Sequence, residues 1–333
     1  MTPIYFYLPA KDWPSEMPSS ADEPWEEFGR GIYCWTLQTY LHLRQNDYPC
    51  RLVDQLPQEG IVLAHRDSLP YELKPNPSTL LVCIKADRDP HPYAQVHLVQ
   101  NPEECKSVRN SYYIPLWPQP GLIPREASRE HKVENVAYMG LRYNLTPELK
   151  SEKWLKELEQ LGLNWQIRPR HLWHDYSDVD IVLAVREFGR SHQHLWKPAT
   201  KLYNCWHAGV PAVLGAESAF QAEREGPYDY FEVTSAEEAI QALKQLKQDS
   251  TLFEKVIQNG FLRSHEKSKE AIIDLWQQSI ENYLVPQYNK WQEAPSWQHS
   301  YYLGSCFVRI KLDAIVNRLN TWTAETASQK NAH

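Results

Sequence analysis

The chain has 333 residues, of which 42% are hydrophobic and 23% charged, and its formal net charge at pH 7 is −7. This length exceeds what one hydrophobic core usually organises, so it predicts two domains, and the acidic balance argues against a protein whose main task is to bind nucleic acid. The longest apolar runs are far shorter than the roughly 20 residues that cross a bilayer, so we expect no transmembrane helix.

The N-terminus lacks the basic start and long apolar stretch of a secretion signal. Residues 4–8 are instead predicted to form a first strand. The six cysteines are widely spaced and form no C-x-x-C pair, and no companion histidine stands at zinc-ligand spacing. We therefore expect reduced thiols in a cytoplasmic protein.

The first half of the chain alternates short apolar runs with polar loops. A proline-rich loop leads to Gly29, Arg30 and Gly31, and a helical pattern of apolar residues follows over 35–43. The other predicted strands of this half are residues 51–53, 61–64, 79–84 and 94–99. Four prolines and one glycine within residues 115–124 then predict a stiff, extended connector.

The second half alternates strands and helices more regularly. The predicted strands are residues 133–139, 164–167, 180–185, 212–214 and 231–233. The predicted helices are residues 147–161, a helix that ends at Ala208, one around Phe220, and several from Ala236 onward, with a largely helical chain beyond Ala271. Such alternation predicts a parallel sheet covered on both faces.

These patterns predict an α/β protein in three parts. Residues 1–125 form an N-terminal Rossmann-like domain, residues 126–285 form a C-terminal Rossmann-like domain, and residues 286–333 form a helical extension.

Residues 196–211 are the most informative stretch for chemistry. Pro198 fits the first helical position and Gly209 the position just past the helix end. Lys197 and Lys201 then lie at the positive end of the helix dipole, where cations are unfavourable unless an anion is bound. Backbone N–H groups, the two ammonium groups and the Thr200 hydroxyl predict a diphosphate cradle. Two solvated lysines are the alternative interpretation.

Two arginines are predicted to lie at the same edge of the second sheet. Arg186 directly follows the apolar run 181–185, and Arg142 follows Gly140 after another predicted strand. Ligands of open α/β sheets bind at the carboxyl ends of the strands, and Gly140 would let the backbone approach a phosphate. Surface ion pairs are the alternative for both arginines.

Residues 197–215, followed by Glu217, resemble the donor-binding segment of GT-B glycosyltransferases. The resemblance is good over residues 133–246 and only architectural before them. It implies two facing Rossmann-like domains, a nucleotide-sugar donor in the C-terminal domain, an acceptor in the N-terminal domain, and no obligatory metal or cofactor. A C-terminal helix often crosses back to the first domain in this group. Many retaining members carry two glutamates eight positions apart, and the first is not recognisable here.

A shorter stretch is similar to fucosyltransferases of the same fold. It comprises residues 201–204, 208–211 and 213–215, and it adds Asn204 to the expected site. The donor is thus expected to be a UDP-sugar or a GDP-sugar. The expected donor-binding residues are Gly140, Arg142, Arg186, Lys197, Thr200, Lys201, Asn204 and Glu217.

The N-terminal domain offers two candidates for the catalytic base. His65 directly follows the predicted strand 61–64, and Asp87 comes shortly after the strand 79–84, so both lie at strand carboxyl ends. Gly29, Arg30 and Gly31 lie between the first strand and the first helix, where they could contact the acceptor. His192 and His194 lack a third ligand at convincing spacing, so solvated histidines are favoured over a metal site.

The predicted function is transfer of a sugar from a nucleoside-diphosphate sugar to a sugar, lipid or glycan acceptor. A nucleotide-sugar epimerase or a phosphorylase of the same fold is one alternative, and a non-catalytic nucleotide- or sugar-binding protein is another, because fold alone does not choose among them. The sequence leaves open the donor sugar, the anomeric outcome and a peripheral membrane contact through aromatic loops.

Overall fold

The structure, a computed structural model, describes residues 2–190 and 194–330, with the side chains of the last helix described as far as Ile315. Its first half holds a sheet of six parallel strands. The strands are β1 (Ile4–Tyr7), β2 (Arg51–Val53), β3 (Gly60–His65), β4 (Thr79–Ile84), β5 (Val96–Val99) and β6 (Ser111–Tyr113). They lie in the order β2-β1-β3-β4-β5-β6.

The central strands β3 and β4 are buried along their whole length, as expected for a parallel sheet covered on both faces. Leu63 and Val82 face one core, whereas Val62 and Leu81 face a second, smaller one. This alternation follows from the two-residue period of a strand. Helix α1 (Gln38–Gln45), preceded by a π-helical turn over Tyr33–Leu37, supplies side chains to the larger core.

A second sheet of five parallel strands forms the other half. Its strands are β7 (Asn135–Met139), β8 (Asn164–Arg168), β9 (Ile181–Ala184), β10 (Ala212–Gly215) and β11 (Phe231–Val233), in the order β11-β10-β9-β7-β8. The helices between them are α2 (Glu152–Gln160), α3 (Thr200–Ala208) and α4 (Ser218–Ala222), and α5 (Ala236–Gln248) follows β11. The predicted α/β architecture with two parallel-sheet domains is confirmed.

The last quarter of the chain is helical. It contains α6 (Ser250–Ser264), α7 (Lys269–Ser279), a π-helical turn over Ile280–Leu284, α8 (Val285–Gln292) and α9 (Ser296–Lys330). Ile272, Trp276 and Tyr288 are buried in the larger core of the first sheet. The chain therefore returns to its first domain with α7. No helix among the described residues combines the length and hydropathy needed to cross a membrane.

A buried aspartate fastens the connector to the second sheet. Asp180, just before β9, is fully buried and accepts hydrogen bonds from Arg125 and Arg129. It also accepts the backbone N–H groups of Glu134 and Asn135 at 2.8 and 2.9 Å. One carboxylate thus holds the end of the connector and the start of β7 together.

Candidate active site between the two domains

A cavity of about 220 Å³ lies between the two domains. Gly29 and Trp117 from the first half line it together with Tyr138 from β7. Five residues predicted from the sequence are among its lining residues: Gly29, Gly140, Thr200, Lys201 and Asn204. The carboxyl edge of the second sheet and the start of α3 therefore meet the first domain at this cavity, as the sheet-edge rule requires.

The Lys201 amine is the central cation of the site. It lies 5.7 Å from the centre of the Tyr138 ring, close enough for a cation–π contact. Burial, and then the positive charge of Arg186, lower the pKa of Lys201 to about 7, against an opposing influence of Glu217. In the free protein the Lys201 amine is therefore only partly protonated at pH 7, and an anion bound in the cavity would favour its charged form.

Arg186 and Glu217 form an ion pair at the carboxyl ends of β9 and β10. Both side chains are largely buried, with exposures of 17% and 5%. The Arg186 Nε is buried without a hydrogen-bond partner among the described residues. The structure therefore brings together two residues that the sequence proposed separately, and the pair retains an unused donor.

Lys197 and Asp87 meet across the domain boundary. The Lys197 ammonium donates a hydrogen bond to Asp87 Oδ2 at 3.0 Å, with side-chain exposures of 23% and 40%. Burial by itself would raise the pKa of Asp87, but the hydrogen bond and charge of Lys197 outweigh burial and hold that pKa below its ordinary value. Ala86, just before Asp87, has a left-handed φ of 49°, a strained conformation for a residue other than glycine.

His65 is almost fully buried, with 2% exposure, and packs against Gly31. A Cβ atom at position 31 would lie 2.7 Å from His65 Nε2, so only glycine fits there. His65 Nδ1 accepts the backbone N–H of Asp67 at 3.1 Å, which assigns the ring proton to Nε2. Burial lowers the pKa of His65 to about 4, so the ring is neutral at pH 7.

Helix α3 begins two residues later than the sequence pattern predicts. Its first residue is Thr200, with Ala199 as the N-cap, so the prediction of Pro198 at the first helical position is wrong. Gly209 ends the helix in a left-handed conformation with a φ of 66°, as predicted. The Thr200 Oγ1 is buried and has no partner among the described residues. The helix start therefore offers an unused hydroxyl beside Lys201.

Other predicted residues have local partners. Asn204 Oδ1 accepts the backbone N–H of Gln119 at 2.9 Å, which ties α3 to the connector. Arg30 pairs with Glu27 at the surface. Arg142 is exposed, at the start of a short 3-10 turn after Gly140.

Gly140 has a steric reason to be glycine. A Cβ atom there would lie 2.7 Å from the Tyr138 hydroxyl. Because the Tyr138 ring also lies under Lys201, the small residue at 140 leaves room for the aromatic part of the site. Sequence reasoning missed Tyr138, because its contact with Lys201 joins residues that are distant in the chain.

Among the side chains that the structure describes, in residues 2–190 and 194–315, no three His, Cys, Asp or Glu cluster in a way that could hold a metal ion. Of the two histidines weighed as metal ligands, His192 lies outside the described residues, so the histidine-pair prediction is untested.

Two facing parallel-sheet domains, a cavity between their carboxyl edges and helices that return to the first domain make up the GT-B-type arrangement that the sequence resemblance implies. No family model and no curated protein matches the chain. Solved structures similar to it include Anabaena HepE in complex with UDP and glucose, at a TM-score of 0.48 and 11% identity over 85% of this chain and 100% of that one. Sucrose-phosphate synthase from Thermosynechococcus elongatus has a TM-score of 0.47 and 12% identity over 76% and 78% of the two chains. The pneumococcal O-GlcNAc transferase GtfA in complex with UDP and GlcNAc has a TM-score of 0.46 and 11% identity over 75% and 60%.

Proposed function

We propose that the protein is a glycosyltransferase that uses a nucleoside-diphosphate sugar and binds its diphosphate between the start of α3 and Arg186. The observation that carries the proposal is the convergence of Lys201, Arg186 and Lys197 on one sheet edge. The positive charges of Arg186 and Lys197 both lower the pKa of the Lys201 amine. A diphosphate could bridge these three cations, but it would have to compete with the Glu217 and Asp87 carboxylates that pair with Arg186 and Lys197 in the free protein.

Each group has a role in this reaction. Lys201 and Lys197 would neutralise the diphosphate, and the Thr200 hydroxyl and the backbone N–H groups at the start of α3 would donate hydrogen bonds to it. Arg186 would stabilise the charge that develops as the nucleoside diphosphate leaves. Glu217, held by Arg186, would accept a hydrogen bond from a hydroxyl group of the donor's sugar or ribose. Gly140, Arg142 and Asn204 would line the donor side of the site.

Asp87 is the better of the two candidate bases. His65 Nδ1 is occupied by the Asp67 N–H, and Nε2 is buried against Gly31, so neither ring nitrogen is placed to take a proton from an acceptor. Asp87 is held as a carboxylate by Lys197. A diphosphate that draws Lys197 away would raise the pKa of Asp87 and make it a stronger base. Gly29, Arg30 and Gly31 would border the acceptor.

A panel of nucleotides and donors tests the proposal. Titration with UDP, GDP, ADP and dTDP measures binding, and release of free nucleoside diphosphate from the matching sugars measures turnover with sugar, lipid and glycan acceptors. Lys201→Ala should abolish both, and Lys156→Ala, an exposed lysine on α2, should change neither. Absence of binding by all four nucleotides would overturn the proposal. Binding without turnover would favour a non-catalytic binding protein, and isomerisation or phosphorolysis of the sugar would favour the epimerase or phosphorylase alternative.

Nucleotide binding is expected to weaken as the pH rises above 7. The Lys201 amine has a pKa of about 7 in the free protein, and a bound diphosphate would raise it. Between pH 7 and 9, binding therefore takes up a proton, and Kd should rise by up to about tenfold per pH unit. Titration calorimetry with the nucleotide that binds measures this slope. Lys201→Arg keeps its charge throughout, so a slope that persists in that variant would contradict the assignment.

A further inference from the structure

A second cavity, of about 540 Å³, lies far from the candidate active site. It is formed where α8 turns into α9 beside the amino-terminal edge of the first sheet, with Leu80 near the start of β4 at its floor. Asp87 follows the other end of the same strand. Seven residues of mostly extended chain separate the two positions, or roughly 20 Å. This cavity, which we call the α8–α9 groove, is therefore separate from the donor site.

Four aromatic side chains form the walls of the α8–α9 groove: Trp291, Trp297, Tyr301 and Tyr302. Two of them are fixed in place, because the Trp291 indole donates to the Asn76 carbonyl at 2.8 Å and the Tyr302 hydroxyl donates to the Ala94 carbonyl at 2.8 Å. The other two are open to solvent, with Trp297 67% and Tyr301 74% exposed.

Trp297 and Tyr301 lie four positions apart on α9, so their rings stand on one face of the helix, about one turn apart. Large aromatic side chains at this exposure leave apolar area in contact with water, which is unfavourable unless something covers them. Two neighbouring rings on a rigid helix are arranged as successive stacking platforms.

Hydrogen-bonding groups stand between the rings. Gln287 and Gln298 offer amides, and Arg109 and Lys290 offer exposed cationic donors. Leu80 and Ala294 are the aliphatic residues among the lining side chains. An acyl chain or an apolar peptide segment is matched by aliphatic walls, whereas a sugar presents C–H faces to aromatic rings and hydroxyls to amides and guanidinium groups. The lining therefore matches carbohydrate.

We propose that the α8–α9 groove binds an oligosaccharide segment of an extended glycan acceptor, several sugar units away from the reacting end. That the bound glycan is an acceptor rests on the proposed glycosyltransferase function, whereas carbohydrate binding itself rests on the groove alone. The groove would hold a long acceptor on the first domain while its end reaches Asp87. Long acceptors would then have a lower KM than short ones, and the donor site would be unaffected.

Direct binding to the full chain tests the proposal independently of catalysis. The probes are hexasaccharides of β-1,4-glucose, α-1,4-glucose, β-1,3-glucose, β-1,4-xylose and β-1,4-N-acetylglucosamine, measured by titration calorimetry and by tryptophan fluorescence. At least one should bind, and Trp297→Ala and Tyr301→Ala should each weaken it by about tenfold or more. Trp297→Phe should retain most of the affinity. Trp13→Ala and Tyr71→Ala, which remove exposed rings elsewhere, should change nothing.

The outcomes separate this proposal from the proposed function. Binding of none of the hexasaccharides, or binding that both groove variants leave intact, overturns the groove assignment even if nucleotides bind at Lys201. Hexasaccharide binding lost in the groove variants supports the groove even if no donor is turned over. A dimer that sedimentation detects in the parent but not in Trp297→Ala would assign the surface to a second copy. Flotation with phosphatidylcholine–phosphatidylglycerol vesicles that is lost in Trp297→Ala would assign it to lipid. Either result would overturn carbohydrate as its ligand.

Discussion

A Lys201→Met variant is expected to lose nucleoside-diphosphate binding by two to three orders of magnitude, which corresponds to roughly 3–4 kcal/mol, while it unfolds at a higher temperature than the parent. The loss in binding follows because the Lys201 amine lines the cavity beside Thr200 at the start of α3. The higher unfolding temperature follows because burial lowers the pKa of Lys201 from 10.5 to about 7. A group whose charge is disfavoured in the folded state opposes folding at every pH below its unfolded pKa.

Removal of that amine should therefore raise the free energy of unfolding at pH 7 by up to about 4 kcal/mol, the equivalent of the pKa shift. Titration with UDP and GDP, together with thermal unfolding of parent and variant, measures both effects. The exposed Lys156 on α2 gives the matched control, since Lys156→Met should shift neither. A variant that binds nucleotide like the parent would remove Lys201 from the site, and a variant that is less stable would mean that the amine has a structural role.

Replacement of Asp180 by Asn should destabilise the second domain by roughly 3–5 kcal/mol, the usual cost of breaking a buried ion pair from one side. The Asp180 carboxylate is 0% exposed and accepts from two guanidinium groups and two backbone N–H groups. An asparagine of the same shape would turn an NH2 group toward donors, remove the counter-charge of Arg125 and leave Arg129 only the more distant Glu134 carboxylate at 3.7 Å. Chemical denaturation monitored by tryptophan fluorescence gives the free energy of unfolding.

The neighbouring Asp178 provides the control. It pairs with Arg168 but is 45% exposed, so Asp178→Asn should cost less than about 1 kcal/mol. Burial alone would raise the pKa of Asp180, but its hydrogen bonds to Arg129 and to the backbone lower it below the ordinary value. The stability that it contributes is therefore present above the unfolded pKa near 3.9 and is lost as the pH falls through the lower folded value. Equal acid sensitivity in parent and Asp180→Asn would contradict this assignment.

The periodic features of the chain were predictable because they depend on local spacing. Strands β3, β4 and β9 are continuous apolar runs, and Gly209 is the residue that can end α3 in a left-handed conformation. Strand β6, three residues long and only partly buried, has no such pattern and was missed. The start of α3 was misplaced by two residues, because Pro198 is compatible with a helix start without requiring one.

The site was predictable only at the level of the sheet edge. Position after a strand made Arg186, His65 and Asp87 candidates, since all parallel strands expose their carboxyl ends on one side, and the family resemblance added Glu217. Position in the sequence could not show which of these side chains contact each other. The contacts between Arg186 and Glu217 and between Lys197 and Asp87 join residues 31 and 110 positions apart, so they depend on how the sheets and the two domains are placed. Tyr138 lies under Lys201 for the same three-dimensional reason.

The return of α7 and α8 to the first sheet makes the earliest part of the chain depend on the latest part to fold. The larger core of the first domain contains Phe6 and Leu63, but also Trp276, Ile280 and Tyr288. During synthesis from the N-terminus, that face of the sheet stays uncovered until these residues have left the ribosome. The second domain, whose core runs from Val133 to Val256, can close before the first one does. A nascent chain shortened before Lys269 would therefore present an apolar sheet face to chaperones.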